Sequence, residues 1–225
     1  MAIRHILVWV ISIDELRDRA LRSGALAFLS KPVESQAILD NALAALARYI
    51  EAERRVVLVA LSSPNERELL SSALQALPAA VVSASSREEL LKQLSSPAID
   101  ALVLADDIAG ISPEDIEAAV ASREALSPLP VIVSAAGPVP PARWQRVRDG
   151  FVALQAASPD QLLDLSVAAL HIDAKRLSQE HCAMLQALRA SQNALKGVKA
   201  LIVDDDMRNI FALATIIKNL GMHQV

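Results

Sequence analysis

Short, nearly continuous apolar runs alternate along this chain with longer stretches in which apolar residues recur every three or four positions. The continuous runs predict strands that are covered on both faces, and the periodic stretches predict amphipathic helices. Regular alternation of the two is typical of βα units built on a parallel sheet. The pattern therefore predicts an α/β fold and argues against an all-helical or all-β domain.

Residues 55–171 contain the most complete series of such units. We expect strands at residues 56–61, 80–83, 101–105, 131–134 and 151–155. Signals for helix starts stand between them: Ser86 has Glu89 three residues later, as in a capping box, and Ser112 precedes a proline. A short helix is expected at 141–148. Five βα units correspond to one doubly wound domain, so we expect a complete five-stranded parallel sheet here.

The two ends of the chain contain incomplete modules. Residues 1–50 hold two predicted strands and two helices, and residues 197–225 hold one strand, one helix and the start of another strand. Neither piece could bury a sheet face by itself. Residues 172–196 predict a polar helical connector with a weak coiled-coil seam. The repeating positions of that seam are Leu177, His181, Met184, Leu188, Ser191 and Leu195.

Composition narrows the class of protein. With 53% hydrophobic and 21% charged residues, wholesale disorder is excluded. The net charge is −4 and the basic residues are dispersed, which argues against nucleic acid as a partner. Cys182 is the single cysteine, so no internal disulfide can form, and no apolar run is long enough for direct membrane insertion. We therefore expect a cytoplasmic protein.

Three consecutive acids, Asp204, Asp205 and Asp206, follow a predicted strand at residues 200–203. Ligands of parallel α/β sheets bind outside the carboxyl ends of the strands, and adjacent carboxylates there favour a hard cation such as Mg²⁺. Capping of the next helix is the alternative role, and it explains one or two of the acids more readily than three. The acidic run therefore favours a metal site.

The run from Ile202 to Asp206, continued by Arg208 to Leu213, resembles the first strand and helix of a response-regulator receiver domain. The closest resemblance is to receivers at the C-terminal end of bacterial hybrid histidine kinases. The resemblance implies that Asp204 and Asp205 hold Mg²⁺ once the module is completed. It also implies that the phosphoacceptor aspartate of this module follows a third strand beyond Val225.

The N-terminal segment matches the other half of the same family. Residues Ile11 to Asp14 and Arg19 to Val33 resemble a receiver's fourth strand through its fifth. The resemblance implies that Ser12 is the hydroxyl that binds the phosphoryl group and that Lys31 is the cation paired with it. Pro32 then stands where the family has a cis peptide bond. Taken singly, Lys31 and Ser12 would be an ordinary exposed lysine and a strand-end serine.

Residues 55–171 keep the receiver's element order but not its charged residues. Alignment with the C-terminal segment puts Leu61 and Ser62 at the metal-binding pair, where neither side chain is an anionic ligand. At the position of the lysine and proline the alignment has Gln155 and Ala156. The resemblance therefore implies a flavodoxin-like receiver fold in this module, whose site has lost both its metal ligands and its cation.

Two aspartates remain as candidate phosphoacceptors of the central module. Asp106 or Asp107 follows the third predicted strand, and Ser134 stands near the position of the phosphate-binding hydroxyl. Phosphoryl transfer depends on positioning and charge neutralisation, so an aspartate without metal or lysine should be a very poor acceptor. A turn aspartate that caps the next helix is the structural alternative. The sequence thus predicts a pseudoreceiver.

These residues together predict signal transduction in a two-component phosphorelay, as part of the receiver region of a hybrid histidine kinase. No kinase catalytic domain is expected in this chain, because its six glycines form no phosphate-binding loop. The expected partners are histidine kinase or phosphotransfer domains and other receiver modules. One alternative is a structural interaction protein whose terminal half-receivers pair into a composite module, as in a homodimer. The other, ranked last, is a small α/β enzyme with a site around Asp106 and Asp107.

Overall fold

In the computed structural model the chain divides into two compact units, Met1–Ser178 and Gln179–Val225. None of the helices among the described residues is both long and apolar enough to cross a membrane. The described residues are 6–13, 16–33, 35–75, 77–84, 86–96, 98–106, 110–121, 128–135, 144, 150–194, 197–202, 206–219 and 222–224.

The N-terminal segment of the first unit contains two strands and two helices, as the sequence predicts. The elements are β1 (Trp9–Ser12), α1 (Arg17–Arg22), β2 (Ala27–Ser30) and α2 (Gln36–Glu51). The two strands pair in parallel, with Ser12 opposite Ser30. Several apolar side chains of this segment stay exposed, including Ile11, Ile13 and Leu43.

The central module follows from residue 55. Its elements are β3 (Arg55–Ala60), α3 (Pro64–Gln75), β4 (Ala79–Ser83), α4 (Arg87–Leu94), β5 (Ala101–Ala105), α5 (Pro113–Val120), β6 (Leu129–Ser134), β7 (Phe151–Ala156) and α6 (Pro159–Ala169). The five strands form one parallel sheet in the order β4-β3-β5-β6-β7. The predicted α/β fold with a five-stranded parallel sheet is confirmed. The helix expected at 141–148 lies outside the described residues apart from Trp144.

Helices cover both faces of this sheet. Alternate strand residues, such as Leu58, Leu102 and Phe151, share one buried cluster with apolar residues of α4 and α5. The residues between them, such as Val57 and Val103, are equally buried but face the other way, because side chains alternate along a strand. The buried leucines of α3 and α6 are outside the first cluster, and these two helices contact each other. This double covering explains why the strands are nearly continuous apolar runs.

Hydroxyl side chains begin three helices of the module. The Ser112 hydroxyl accepts from the main chain of Asp115, whose carboxylate accepts from the Ser112 main chain, so a full capping box starts α5. Ser86 and Ser158 cap α4 and α6 through one such hydrogen bond each. The carboxylate of Glu89, predicted as the second half of a box with Ser86, accepts from Gln93.

The connector and the second unit are helical for most of their length. A 3-10 turn at Ala174–Arg176 is followed by α7 (Gln179–Ala194), β8 (Lys199–Ala200), α8 (Met207–Asn219) and β9 (His223–Gln224). The predicted start of a second strand is present, since β8 and β9 pair in parallel. Among the α7 residues whose burial is described, Leu185, which is outside the predicted seam, is buried, whereas Ser191 of that seam is exposed. Leu195 of the seam lies outside the described residues.

Candidate functional site

The strand order of the central sheet reverses between β3 and β5, because β4 lies on the far side of β3. Ligands of open parallel sheets bind in the crevice that such a reversal leaves outside the carboxyl ends of the strands. The residues that end the strands at this carboxyl edge are Leu61, Ser62, Asp106, Ser134 and Ala156. The carboxyl edge is therefore the candidate site of the central module.

Asp106, one of the two candidate phosphoacceptors of the predicted pseudoreceiver, follows β5 directly. Its main-chain N–H donates to the carbonyl oxygen of Ser134 over 2.9 Å. Its Oδ1 accepts a 2.7 Å hydrogen bond from the indole Nε1 of Trp144, a residue only 3% exposed. Hydrogen bonds to an ionised acceptor are among the stronger ones in proteins. A buried side chain of the same chain thus holds the carboxylate of Asp106; Asp107 lies outside the described residues.

Ser134, the last residue of β6, is also paired within the module. Its Oγ donates to Oε1 of Glu66 over 2.8 Å. Glu66 lies in the first turn of α3, and its main-chain N–H donates to the Ser63 hydroxyl over 3.4 Å. The hydroxyl that the sequence places near the phosphate-binding position therefore faces a carboxylate, and like charge at that point opposes a bound anion.

The carboxyl edge of the central module does not fit Mg²⁺. At the position of the metal-binding pair, Leu61 is a buried hydrocarbon side chain, 4% exposed, and Ser62 offers only a hydroxyl. Mg²⁺ is held in proteins by carboxylate and other oxygen ligands in near-octahedral geometry. Among the described residues, no three His, Cys, Asp or Glu side chains group as metal ligands would. Leu61 and Ser62 therefore provide no anionic ligand for a cation at this position.

The lysine position is also neutral, although the sequence alignment identifies the wrong residue. The pairing of β1 with β2 corresponds to that of β6 with β7. The last residue pair is Ser12 with Ser30 in the first case and Ser134 with Ala156 in the second. The residue after that pair is Lys31 in the N-terminal segment and Ala157 in the central module. Gln155, which the alignment places there, lies two residues too early. Neither alanine nor glutamine carries a charge, so neither assignment puts a cation at this position.

The N-terminal segment brings its two predicted phosphate-binding residues together. The main-chain N–H of Lys31 donates to the carbonyl oxygen of Ser12 over 2.8 Å, so the two residues are neighbours where β1 and β2 end. Lys31 is exposed. The peptide bond between Lys31 and Pro32 is cis, as the resemblance implies. Their roles toward a phosphoryl group stay predictions.

The acidic run of the second unit is described only at Asp206, because Asp204 and Asp205 lie outside the described residues. Asp206 accepts hydrogen bonds from the main chain of Arg208 at 2.9 Å and from its guanidinium at 2.7 Å. The hydrogen bond from the guanidinium has the largest effect on the Asp206 carboxyl. Together the two bonds lower the pKa of this carboxyl below its ordinary value. Asp206 therefore caps the start of α8, which is the structural role considered for one of the three acids.

Sequence reasoning missed two residues of the carboxyl edge, Glu66 and Trp144. Both lie far along the chain from their partners, so periodicity does not connect them. One signal was present for Glu66: a first-turn acid of the helix after the first strand points toward the edge where ligands bind. Trp144 carried a weaker signal, because a buried tryptophan usually finds an acceptor for its N–H.

Comparison with solved structures finds a response regulator receiver domain protein from Bacillus halodurans. It is 16% identical to this chain with a TM-score of 0.40, and the alignment covers 53% of this chain and 98% of that one. No protein-family model matches the chain, and no curated protein matches it.

Proposed function

We propose that this chain belongs to the receiver region of a hybrid histidine kinase in a two-component phosphorelay, and that its central module is a scaffold that carries no phosphoryl group. The receiver-like motifs at both ends support the phosphorelay context. The strand order of the central sheet supports a receiver-like role for this module. Counted along the module, the strands lie in the flavodoxin-like order 2-1-3-4-5.

The scaffold role is supported mainly by hydrogen bonds that polar side chains of the carboxyl edge make within the module. Asp106 is bound by Trp144, and Ser134 is bound by Glu66. A phosphoryl group on Asp106 would add negative charge to an edge that already has the carboxylate of Glu66, and the residue that corresponds to Lys31 is the neutral Ala157. The central module therefore acts through its surfaces and its fixed geometry rather than through phosphate chemistry.

The terminal segments are the parts that engage the relay in this proposal. Ser12 and Lys31 bind a phosphoryl group when their receiver is complete, and Asp204 and Asp205 hold Mg²⁺ when theirs is. Their partners are the histidine kinase or phosphotransfer domains that supply the phosphoryl group, together with other receiver modules. The exposed apolar side chains Ile11, Ile13 and Leu43 support contact of the N-terminal segment with such modules.

Labelling with acetyl phosphate and Mg²⁺ tests the proposal. The full chain is incubated with both, its intact mass is measured, and acyl phosphates are mapped by peptide mass spectrometry. We expect no phosphoryl group on the central module, and the Asp106→Asn variant should show the same extent of labelling as the wild type. Stable label on Asp106 or Asp107 that is lost in the asparagine variants would contradict the scaffold role.

A second candidate is pairing of the terminal half-receivers between two copies of the chain. Exposed apolar residues on both terminal segments favour it, among them Leu43, Leu201 and Met207. Light scattering across a range of concentrations tests this function. A dimer that is lost on Leu43→Ser substitution supports pairing, whereas a monomer at all concentrations rejects it.

A further inference from the structure

The C-terminal end of α2 contacts the central module through one aromatic side chain. Tyr49, the only tyrosine of the chain, donates a 3.2 Å hydrogen bond from its hydroxyl to the carbonyl oxygen of Leu170 at the end of α6. The ring of His171 stands edge-on to the Tyr49 ring, with centroids 6.0 Å apart and planes at 84°. This T-shaped geometry is a favourable one for aromatic pairs.

A cation from β3 lies over the Tyr49 ring. The guanidinium carbon of Arg55 lies 3.5 Å from the centre of the Tyr49 ring, well within the range of a cation–π contact. Nη1 of Arg55 is buried and has no hydrogen-bond partner among the described residues, so the contact with the ring face is a favourable interaction for the buried end of this guanidinium. Partial burial makes such a contact stronger than it is in water.

Hydrogen bonds and backbone geometry fix the segments that contact Tyr49. The Asp100 carboxylate accepts from the main chain of Val56 over 2.7 Å, and the Asp100 main chain donates back to Val56 over 2.8 Å. These bonds fix the first residues of β3. His171 has a left-handed backbone, with φ of 50°, at the point where α6 ends, which is an unusual conformation for a residue with a side chain. The residues that contact Tyr49 therefore belong to segments whose backbone is set by the central module.

We propose that Tyr49 anchors the end of α2 in a docking site formed by Arg55, Leu170 and His171, at the amino-terminal edge of the central sheet, so that the N-terminal segment and the central module open as one cooperative unit. A shift of α2 is then transmitted to β3 rather than absorbed at the junction. A second hydrogen bond between the N-terminal segment and the central module supports this coupling. Nη1 of Arg22 on α1 donates to the carbonyl oxygen of Ala153 on β7 over 3.3 Å.

Hydrogen exchange of the full chain, followed by mass spectrometry, tests this coupling. In the wild type, the amides in the second half of α2 should exchange at the same slow rate as those of β3. Tyr49→Leu removes the hydrogen bond and the ring, and should raise exchange in α2 by about tenfold or more without changing β5 and β6. The milder Tyr49→Phe, which removes only the hydroxyl, should raise it by about fivefold.

Ile50 provides the matched control, because it is adjacent to Tyr49 and 61% exposed. Ile50→Ala should leave exchange in α2 unchanged. The Arg55→Gln variant should be non-additive with Tyr49→Leu, and Arg55→Lys should restore part of the protection. Exchange in wild-type α2 that is much faster than in β3 would overturn the proposal. So would equal effects of Tyr49→Leu and Ile50→Ala, or full additivity of Tyr49→Leu with Arg55→Gln.

Discussion

The indole N–H of Trp144 donates a 2.7 Å hydrogen bond to Oδ1 of Asp106, at the edge of the sheet where a receiver would take its phosphoryl group. The donor itself is buried, with 3% of its surface exposed. Together with the Ser134–Glu66 hydrogen bond, it pairs two polar side chains of the carboxyl edge within the module. These hydrogen bonds lead to predictions of how substitutions at the carboxyl edge change the stability of the protein.

Replacing Trp144 by phenylalanine removes the donor to Asp106 while keeping an aromatic ring in the core. A hydrogen bond to a charged group contributes about 1.5–3 kcal/mol, and we expect a loss of that order in the free energy of unfolding, measured by urea denaturation. Trp9→Phe is the control, because the indole nitrogen of Trp9 is buried without a hydrogen-bond partner among the described residues. That variant should lose less than about 1 kcal/mol. Equal losses in the two variants would contradict the role of the Trp144 hydrogen bond.

Ser134→Ala tests the second pair of the carboxyl edge. The substitution takes the hydroxyl donor away from the partly buried carboxylate of Glu66, and should lower the free energy of unfolding by about 1–2 kcal/mol. Glu66→Gln keeps an acceptor oxygen and should cost less than Ser134→Ala. Ser83→Ala, at an exposed position on β4, should be within about 0.5 kcal/mol of wild type. Thermal unfolding of the three variants provides the comparison, and a Ser134→Ala variant as stable as Ser83→Ala would argue against the pairing.

Gly150 is predicted to be intolerant of any side chain. It has φ of 88°, and a Cβ added to it would lie 2.7 Å from Cγ2 of Val120 in the core. Gly150→Ala should therefore cost about 2–4 kcal/mol, from backbone strain together with overpacking. Gly110→Ala isolates the strain, because Gly110 has φ of 79° but its added Cβ would make only an ordinary 3.6 Å contact with Arg87. That control should cost about 1 kcal/mol. A smaller loss for Gly150→Ala than for Gly110→Ala would refute the clash.

Alkaline pH should weaken the docking of Tyr49. Burial, the largest effect, raises the pKa of the Tyr49 phenol from 10.0 to about 12, and the nearby Arg55 partly opposes this. Because the folded pKa lies above the unfolded one, the stabilisation is complete below about pH 10 and is lost as the pH rises toward about 12. The loss should reach about 2–3 kcal/mol. With one tyrosine in the chain, absorbance of the tyrosinate reports this group alone.

The urea midpoints of the wild type and of Tyr49→Phe, measured across this pH range, complete that test. The phenylalanine variant should lack this part of the pH dependence while keeping whatever the lysines contribute. Ionisation of the folded wild type near pH 10, with native circular dichroism retained, is the result that would count against a buried phenol.

Most of the central fold could be predicted because its signal is local. Strands covered on both faces must be apolar throughout, so the run ending at Leu61 and the run beginning at Phe151 mark β3 and β7 to within one residue of their observed bounds. Serine caps marked the helix starts for the same reason, since a cap bonds to residues two or three positions away. The observed strand order also follows from the expected topology of βα units.

The carboxyl edge could be predicted only in part. Sequence placed Asp106 and Ser134 at neighbouring strand ends, and the structure joins their main chains. It could not pair Ser134 with Glu66 or Asp106 with Trp144, because these partners are 68 and 38 residues apart and only the tertiary fold brings them together. The lysine position was misassigned for a related reason: pairing between neighbouring strands, rather than spacing along the chain, decides which residue follows the last pair.

Nuclear magnetic resonance of the ¹⁵N-labelled full chain, titrated with Mg²⁺ and beryllofluoride, tests the central claim most directly. Beryllofluoride mimics a phosphoryl group on an aspartate, and the indole N–H of Trp144 reports on Asp106 through their hydrogen bond; the Trp9→Phe variant assigns its signal. We expect the Trp144 indole signal and the amide signals of Asp106 and Ser134 not to move. Saturable shifts of these three signals that require both Mg²⁺ and beryllofluoride, and that vanish in Asp106→Asn, would show a working receiver site and contradict the account.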